Sequence, residues 1–455
     1  MARILHVSDW HLGLTTRGVD RLADHEQVLD EICEIAADVR PHLVLHTGDL
    51  FHTPHPANEA VRLAFDVLHR LETLCPVIVL RGNHDGIEHF RALQSVLGEA
   101  TRIRLIEVPK RPAEGGVVEV EGEPGEIIRV GLLPFLESNR GRIIERLTKD
   151  WTTWATQYAH GVAGLEGLIA DGLLDGYDAS RHILLFAAHL HLDVAVPSQS
   201  ERRRHIVEEY AARAASIPRD VSYAAFGHIH NPQKLRAAMP AWYAGSPIPV
   251  DFGEISDAKR VLAIEVHPGT PANVTEHFLQ RTGRRLRRID ATLEEIEAMA
   301  NEVDDAICDV VVRTPTTVPD LSELVTALLP RTSFVSIQGA AADAEIAELA
   351  GGAAADGSVA EGYDALFHRF IEGTPPASAP AALVHDVFCA LLDDGEGTHR
   401  FEAEVALDTV DQQLDTVKAP VGRPVAPAEP GAMTVVAQAQ PAASSRRQRR
   451  PQAAS

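Results

Sequence analysis

Val77-Ile78-Val79-Leu80-Arg81-Gly82-Asn83-His84-Asp85 sets an apolar run against a polar, turn-forming tetrapeptide. Such a run bounded by a glycine turn predicts a buried strand with chemistry-bearing residues in the loop after it. The same arrangement recurs along the chain. Ile4-Leu5-His6-Val7 precedes Asp9-Trp10-His11, and Leu43-Val44-Leu45 precedes Gly48-Asp49-Leu50-Phe51-His52. Further on, Ile183–Ala188 precedes His189, and Val221–Phe226 precedes Gly227-His228-Ile229-His230. Helical patterns near 20–39 and 57–73 lie between the first strands, the second with Leu63, Val67 and Leu71 spaced for one buried face. Strand–helix–strand units of this length imply parallel pairing and an α/β layered fold. Residues 103–134 and 261–266 add strands, and 142–173 is expected to be mostly helical.

The strand pattern ends near residue 275, which bounds a first domain at 1–275. A second α/β unit is expected over 280–350. Thr292-Leu293-Glu294-Glu295 is a capping box opening a helix to about Ala300. A strand (Asp309–Arg313), a helix (Asp320–Leu329) and a strand (Phe334–Gln338) follow it. The Ala- and Gly-rich residues 339–358 predict a flexible connection. Two helices follow within 360–395, split by Gly373-Thr374-Pro375-Pro376. Their apolar residues, among them Leu366, Phe370, Val387 and Leu391, exceed what a lone pair can bury. Packing onto the second domain and docking onto a partner are both open readings. Residues 416–455, Pro- and Ala-rich and ending in Arg446-Arg447-Gln448-Arg449-Arg450, predict a disordered tail.

Five polar segments, each just after a strand, converge on one crevice if the strands are parallel. Their side chains are carboxylates, imidazoles and one amide: Asp9, His11, Asp49, Asn83, His84, His189, His228 and His230. A mixed nitrogen and oxygen set suits Mn²⁺, Fe²⁺ or Zn²⁺ better than Ca²⁺ or Mg²⁺. No cysteine joins the set, which argues against a structural zinc site. Eight groups are too many for one tetrahedral ion and fit two ions sharing a carboxylate, a phosphate-clamping arrangement. Each short segment alone is weak evidence in a chain with 22 histidines. Their joint order is specific.

The order D-x-H, G-D-x-x-H, G-N-H-D, H, G-H-x-H resembles the calcineurin-like metallophosphoesterase superfamily over roughly the first 265 residues. The resemblance implies a layered β core flanked by helices. It implies that Asp9, His11 and His230 hold one metal, that Asn83, His189 and His228 hold a second, and that Asp49 bridges them. His84 is then catalytic, contacting the scissile phosphate and protonating the leaving oxygen, with Asp85 orienting its ring. His191, two residues beyond His189, could present to the same face; the family pattern favours His189. His52 either positions the phosphate or is a loop histidine at the edge of the site.

Ser8–Gly13, Gly48–His52 and Tyr243–Pro249 followed by Phe252-Gly253-Glu254 further resemble the nuclease subunits of bacterial DNA-end-processing complexes. That resemblance implies a Mn²⁺-dependent DNA exonuclease and endonuclease with DNA as substrate. It also implies a small α/β capping domain, an SMC-type coiled-coil ATPase partner docking on the helix pair, and a homodimer within a heterotetramer. A small-molecule or cyclic-nucleotide phosphodiesterase on the same scaffold is the competing reading, though it has no need of the capping domain or the helix pair. A non-catalytic DNA-end-binding subunit is opposed by the complete ligand set.

Composition limits how DNA can be held. The 455 residues carry a net charge of −23, whereas non-specific DNA binding rests on Lys and Arg neutralising phosphates. Contact must therefore come from metal ions, a dimer groove, a partner or local clusters such as Arg202-Arg203-Arg204 and Arg284-Arg285-Leu286-Arg287-Arg288. Either cluster could equally be a solvated surface. The four scattered cysteines, Cys33, Cys75, Cys308 and Cys389, predict a reducing compartment. With no signal-peptide pattern and no apolar run of the ~20 residues that span a bilayer, a cytoplasmic protein is expected.

Overall fold

The computed structural model describes residues 1–98, 100–136, 158–198, 212–314 and 318–339, with the backbone alone at 158–160. All fall within a compact unit, Met1–Glu345. The expected helix pair at 360–395, the tail at 416–455 and the Arg202-Arg203-Arg204 cluster lie outside the described residues.

Two six-stranded sheets form the core. The first runs, in spatial order, Asn273–Phe278, Arg260–Val266, Ala2–Val7, Leu43–His46, Val77–Leu80 and Ile103–Ile106. The second runs Gln233–Lys234, Ala241–Tyr243, Tyr223–Gly227, His182–His189, Ile127–Leu133 and Val117–Glu121. Pairing is parallel along Ala2–Val7, Leu43–His46, Val77–Leu80 and Ile103–Ile106, as the crossover helices require. Arg260–Val266, an added strand outside those strand–helix–strand units, lies antiparallel to Ala2–Val7.

The apolar pattern explains the layering. Ile4, Leu43, Leu45, Ile78 and Leu80 from the first sheet share one buried cluster with Ile128, Val130, Leu132, Ile183 and Leu185 from the second. The sheets thus pack face to face, and strands buried on both sides read as continuous apolar runs. On the outer face of the first sheet, helices Leu22–Val39 and Asn58–Glu72 bury Val28, Leu29 and Ile32, and Ala60, Ala64, Val67, Leu68 and Leu71. Leu63 is only half-buried, packed against the core cluster, while Leu68, outside the expected stripe, is fully buried. A third helix, Ile87–Leu97, follows the Gly82–Asp85 loop. Helix Tyr158–Leu174 covers the second sheet through Val162, Leu165, Ile169 and Leu173. The fold is therefore the expected α/β class, a layered β core flanked by helices.

A third sheet, Leu286–Ala291, Ile307–Val312 and Ser333–Gly339, is wholly parallel and has its own apolar cluster around Ile296, Val310 and Val325. The Thr292 capping box is present, but the helix it opens ends at Ala298 and a separate turn covers Ala300–Val303. This sheet is tied to the first domain by named contacts. Phe252 packs with Leu286 and Ile307, and Arg17 donates to Asp309 at 3.0 Å. Arg284 is held by Asp24 at 3.0 Å, while Arg288 lies over the Phe252 ring. Part of the second arginine cluster thus anchors this sheet.

Candidate metal centre

The site stands at the carboxyl ends of five strands drawn from both sheets. Asp9 and His11 follow Ala2–Val7, Asp49 and His52 follow Leu43–His46, and Asn83 and His84 follow Val77–Leu80. His189 ends its own strand, and His228 and His230 follow Tyr223–Gly227. The first two loops extend their strands' pairing: His11 donates its backbone N–H to the Asp49 carbonyl at 3.0 Å, and Leu12 donates to that of Leu50 at 3.0 Å. The sheets meet where the His228 amide donates to Asp9 Oδ1 at 3.1 Å.

Local preference is overridden here. Asp9, His11, Asp49 and His228 all have positive φ, between 49° and 105°, a region that non-glycine residues rarely enter and that costs about 1–3 kcal/mol each. Close approach explains two of the motif glycines. A Cβ on Gly48 would stand 2.2 Å from His189 Nδ1, and one on Gly82 would stand 2.1 Å from Asp49 Oδ1.

Donor atoms converge in two neighbouring groups. Asp9, His11, Asp49 and His230 each place one such atom within 4.8 Å of the others, with His11 Nε2 and His230 Nε2 3.0 Å apart. Beside them, Asn83 Oδ1 lies 2.9 Å from His189 Nε2 and 2.7 Å from His228 Nδ1. Asp49 Oδ2 stands between the groups, 3.6 Å from His11 Nε2 and 3.5 Å from His189 Nε2. A further convergent set is His11, His52 and His84. His189 is therefore in the cluster, whereas His191 contacts its edge, its ring 6.4 Å from that of His228.

The electrostatics fit divalent ions. Burial, and then the neighbouring histidines, hold His11 well below the usual imidazole range. Burial takes His189 down to about 4 against the pull of Asp49. Metal ligation requires neutral imidazole, and these rings are kept neutral. Burial drives the Asp9 carboxyl well up, opposed by His230 and reinforced by Asp49. Two buried carboxylates with no cation between them are costly, and a divalent ion is the natural counter-charge.

Two of the expected assignments change or sharpen. Asp85 does not contact the His84 ring. Its carboxylate accepts from the backbone amides of Gly82 (2.8 Å), Phe51 (2.8 Å) and Leu50 (3.2 Å), so it pins the Gly82–Asp85 loop to the Gly48–His52 loop. A short carboxylate one residue after His84 reaches these amides first. The His84 ring is fixed instead by His52, whose backbone carbonyl lies 2.7 Å from His84 Nδ1. The His52 ring itself is 5.2 Å from that of His84. Sequence reasoning gave no role to Glu254, whose Oε1 lies 3.0 Å from His230 Nδ1, or to Phe135, stacked on His228. Phe135 lies in a segment with no motif that points to the centre, whereas Phe252-Gly253-Glu254 carries the nuclease-subunit resemblance, which by itself assigns Glu254 no role.

Residues 2–232 match the calcineurin-like phosphoesterase family. The SbcD subunit of the nuclease SbcCD from Bacillus subtilis is 31% identical over 309 residues, which is 67% of this chain and 76% of that one. The SbcD subunit of Rhodobacter capsulatus is 27% identical, covering 59% of this chain and 67% of the relative. That of Escherichia coli is 28% identical, covering 57% and 64%. Among the described residues no helix is long and apolar enough to cross a membrane. The chain belongs to the calcineurin-like phosphoesterases, within them to the family of the SbcD nuclease subunits, and is a metal-dependent phosphoesterase.

Proposed function

We propose that this chain cuts DNA, as a Mn²⁺-dependent exonuclease and endonuclease. In this reading it acts in the cytoplasm with an SbcC-like SMC-type coiled-coil ATPase, as a homodimer within a heterotetramer. The observation that carries the reading is the pair of donor groups sharing Asp49, in a chain 31% identical to a nuclease subunit. Asp9, His11 and His230 would hold one ion, Asn83, His189 and His228 the other, with Asp49 between them. When bound, two such ions polarise a phosphodiester and supply hydroxide at neutral pH.

The chain's own residues do the rest. Asp85 fixes the loop that carries Asn83 and His84. A carbonyl can only accept, so the His52 carbonyl makes His84 Nδ1 the protonated nitrogen. As a general acid His84 would act as the imidazolium. Nδ1–H stays on the His52 carbonyl, and Nε2, carrying the second proton, hands it to the departing sugar oxygen and is left with its lone pair. His52 supports this step through its backbone, with its ring beside that of His84. The net charge of −23 is reconciled with DNA binding by the second subunit and the ATPase, which complete a groove that one acidic chain lacks.

The test compares linear duplex DNA, a DNA hairpin and bis-p-nitrophenyl phosphate with Mn²⁺, for wild type and Asp49→Ala. Metal-dependent DNA cutting lost in Asp49→Ala is the expected result. Hydrolysis of the small diester alone, even with a candidate ATPase added, would replace this reading with a small-molecule phosphodiesterase.

A further inference from the structure

Glu254 lies in the short turn Phe252–Glu254, fully buried, 24 residues beyond His230 in the chain. Its Oε1 meets His230 Nδ1 at 3.0 Å and accepts from Ser198 Oγ at 3.2 Å. Its Oε2 accepts from Lys259 Nζ at 2.6 Å and from the Val250 amide at 3.1 Å. Lys259 is also buried, and it donates to the backbone carbonyl of His230 at 3.1 Å. One ion pair therefore holds the same histidine at its ring and at its backbone.

The chemistry of the contact fixes a tautomer. An ionised carboxylate only accepts, so Nδ1 of His230 carries the proton and Nε2 keeps its lone pair. That lone-pair nitrogen is the one 3.0 Å from His11 Nε2, in the group that also holds Asp9 and Asp49. A buried ion pair contributes little net stability, because desolvating both charges offsets their attraction. Orientation of a ring is what such a pair supplies.

We propose that Glu254, supported by Lys259, is a positioning residue of the metal centre, holding His230 in the tautomer and orientation that present Nε2 to the ion. The inference rests on the metal-site reading above. Loss of such an outer partner typically weakens metal binding about 10–100-fold.

The test is Mn²⁺ titration of the full chain by calorimetry, with metal-free melting curves as the control for folding. The variants are Glu254→Leu, Glu254→Gln, His230→Ala and the Glu254→Gln, His230→Ala pair. Glu254→Leu is expected to weaken one of two Mn²⁺ sites about 10–100-fold. Glu254→Gln keeps an oxygen for Nδ1 and is expected to lose less. In the His230→Ala background the Gln substitution should cost no further affinity, because the ring it acts through is gone. Wild-type affinity in folded Glu254→Gln and Glu254→Leu, or an equal loss with and without His230, would overturn the assignment. If Glu254→Leu does not fold, the Gln pair alone decides. A wild-type chain that binds no Mn²⁺, or an Asp49→Ala variant that binds normally, sinks the metal-site reading itself and takes this inference with it.

Discussion

Replacing Asp85 by Asn separates two roles that the sequence motif leaves confounded. The carboxylate accepts from three buried amides, those of Gly82, Phe51 and Leu50. Asparagine keeps one oxygen. If that oxygen stays on the Phe51 amide, the new NH₂ group faces the N–H groups of Gly82 and Leu50, donor against donor. Two buried amides then lack an acceptor, at about 1–3 kcal/mol each, or about 2–6 kcal/mol together. For a domain of this size the midpoint should fall on the order of 3–10 °C. The measurement is thermal unfolding of metal-free protein at pH 8. Burial, then the charge of Asp49, pushes the Asp85 carboxyl up to about 7, and only the ionised form accepts from all three amides. Turnover is measured well below both midpoints. An unchanged midpoint with collapsed turnover would refute the reasoning, because it would mean that Asp85 acts on the chemistry and not on the loops.

Other consequences are equally direct. Glu166 is buried against Ser216, and burial pushes its carboxyl from 4.5 up to about 7. The folded state keeps the proton that the unfolded chain releases, so stability is full below pH 4.5 and falls as pH rises to about 7, by about 3 kcal/mol. Glu166→Gln should flatten that slope and melt higher than wild type at pH 8; a parallel pair of stability–pH curves would contradict it. Gly82→Ala forces a Cβ against Asp49 Oδ1 and the Asp49 backbone nitrogen, and should cost about 1–3 kcal/mol and abolish Mn²⁺-dependent turnover. Wild-type turnover in that variant would show that Asp49 has room to move. His84→Ala should retain bound Mn²⁺ by metal analysis while turnover drops about 10²–10⁴-fold; intact turnover would remove His84 from the mechanism.

Much of the candidate site was legible because its proposed ligands sit where local pattern is most informative. Apolar runs such as Val77–Leu80 mark strands, and parallel strands put the following loops on one edge. Asp9, His11, Asp49, Asn83, His228 and His230 stand out in that way, His189 is separated from His191 by the family resemblance, and the structure brings all seven side chains together. The pattern could not tell how the strands divide between sheets. Ile78 and Ile183 are both apolar to the same degree, yet they belong to different sheets that share one core.

Sequence by itself determined the identity of the donor atoms and the order in which loops deliver them, since both are fixed by residue type and by the strand period. Tertiary structure alone decided which partners those atoms have. His189 and His191 have the same chemistry two residues apart; the strand period leaves both open, the family pattern favours His189, and the approach of Asn83 Oδ1 to His189 Nε2, at 2.9 Å, puts His189 in the cluster. Asp85 and Glu254 are both acidic residues near histidines. One grips backbone amides and the other reaches a histidine ring 24 positions earlier in the chain. A carboxylate bonds to whatever donor the fold brings within about 3 Å, and for these two residues that is a property of distance in space.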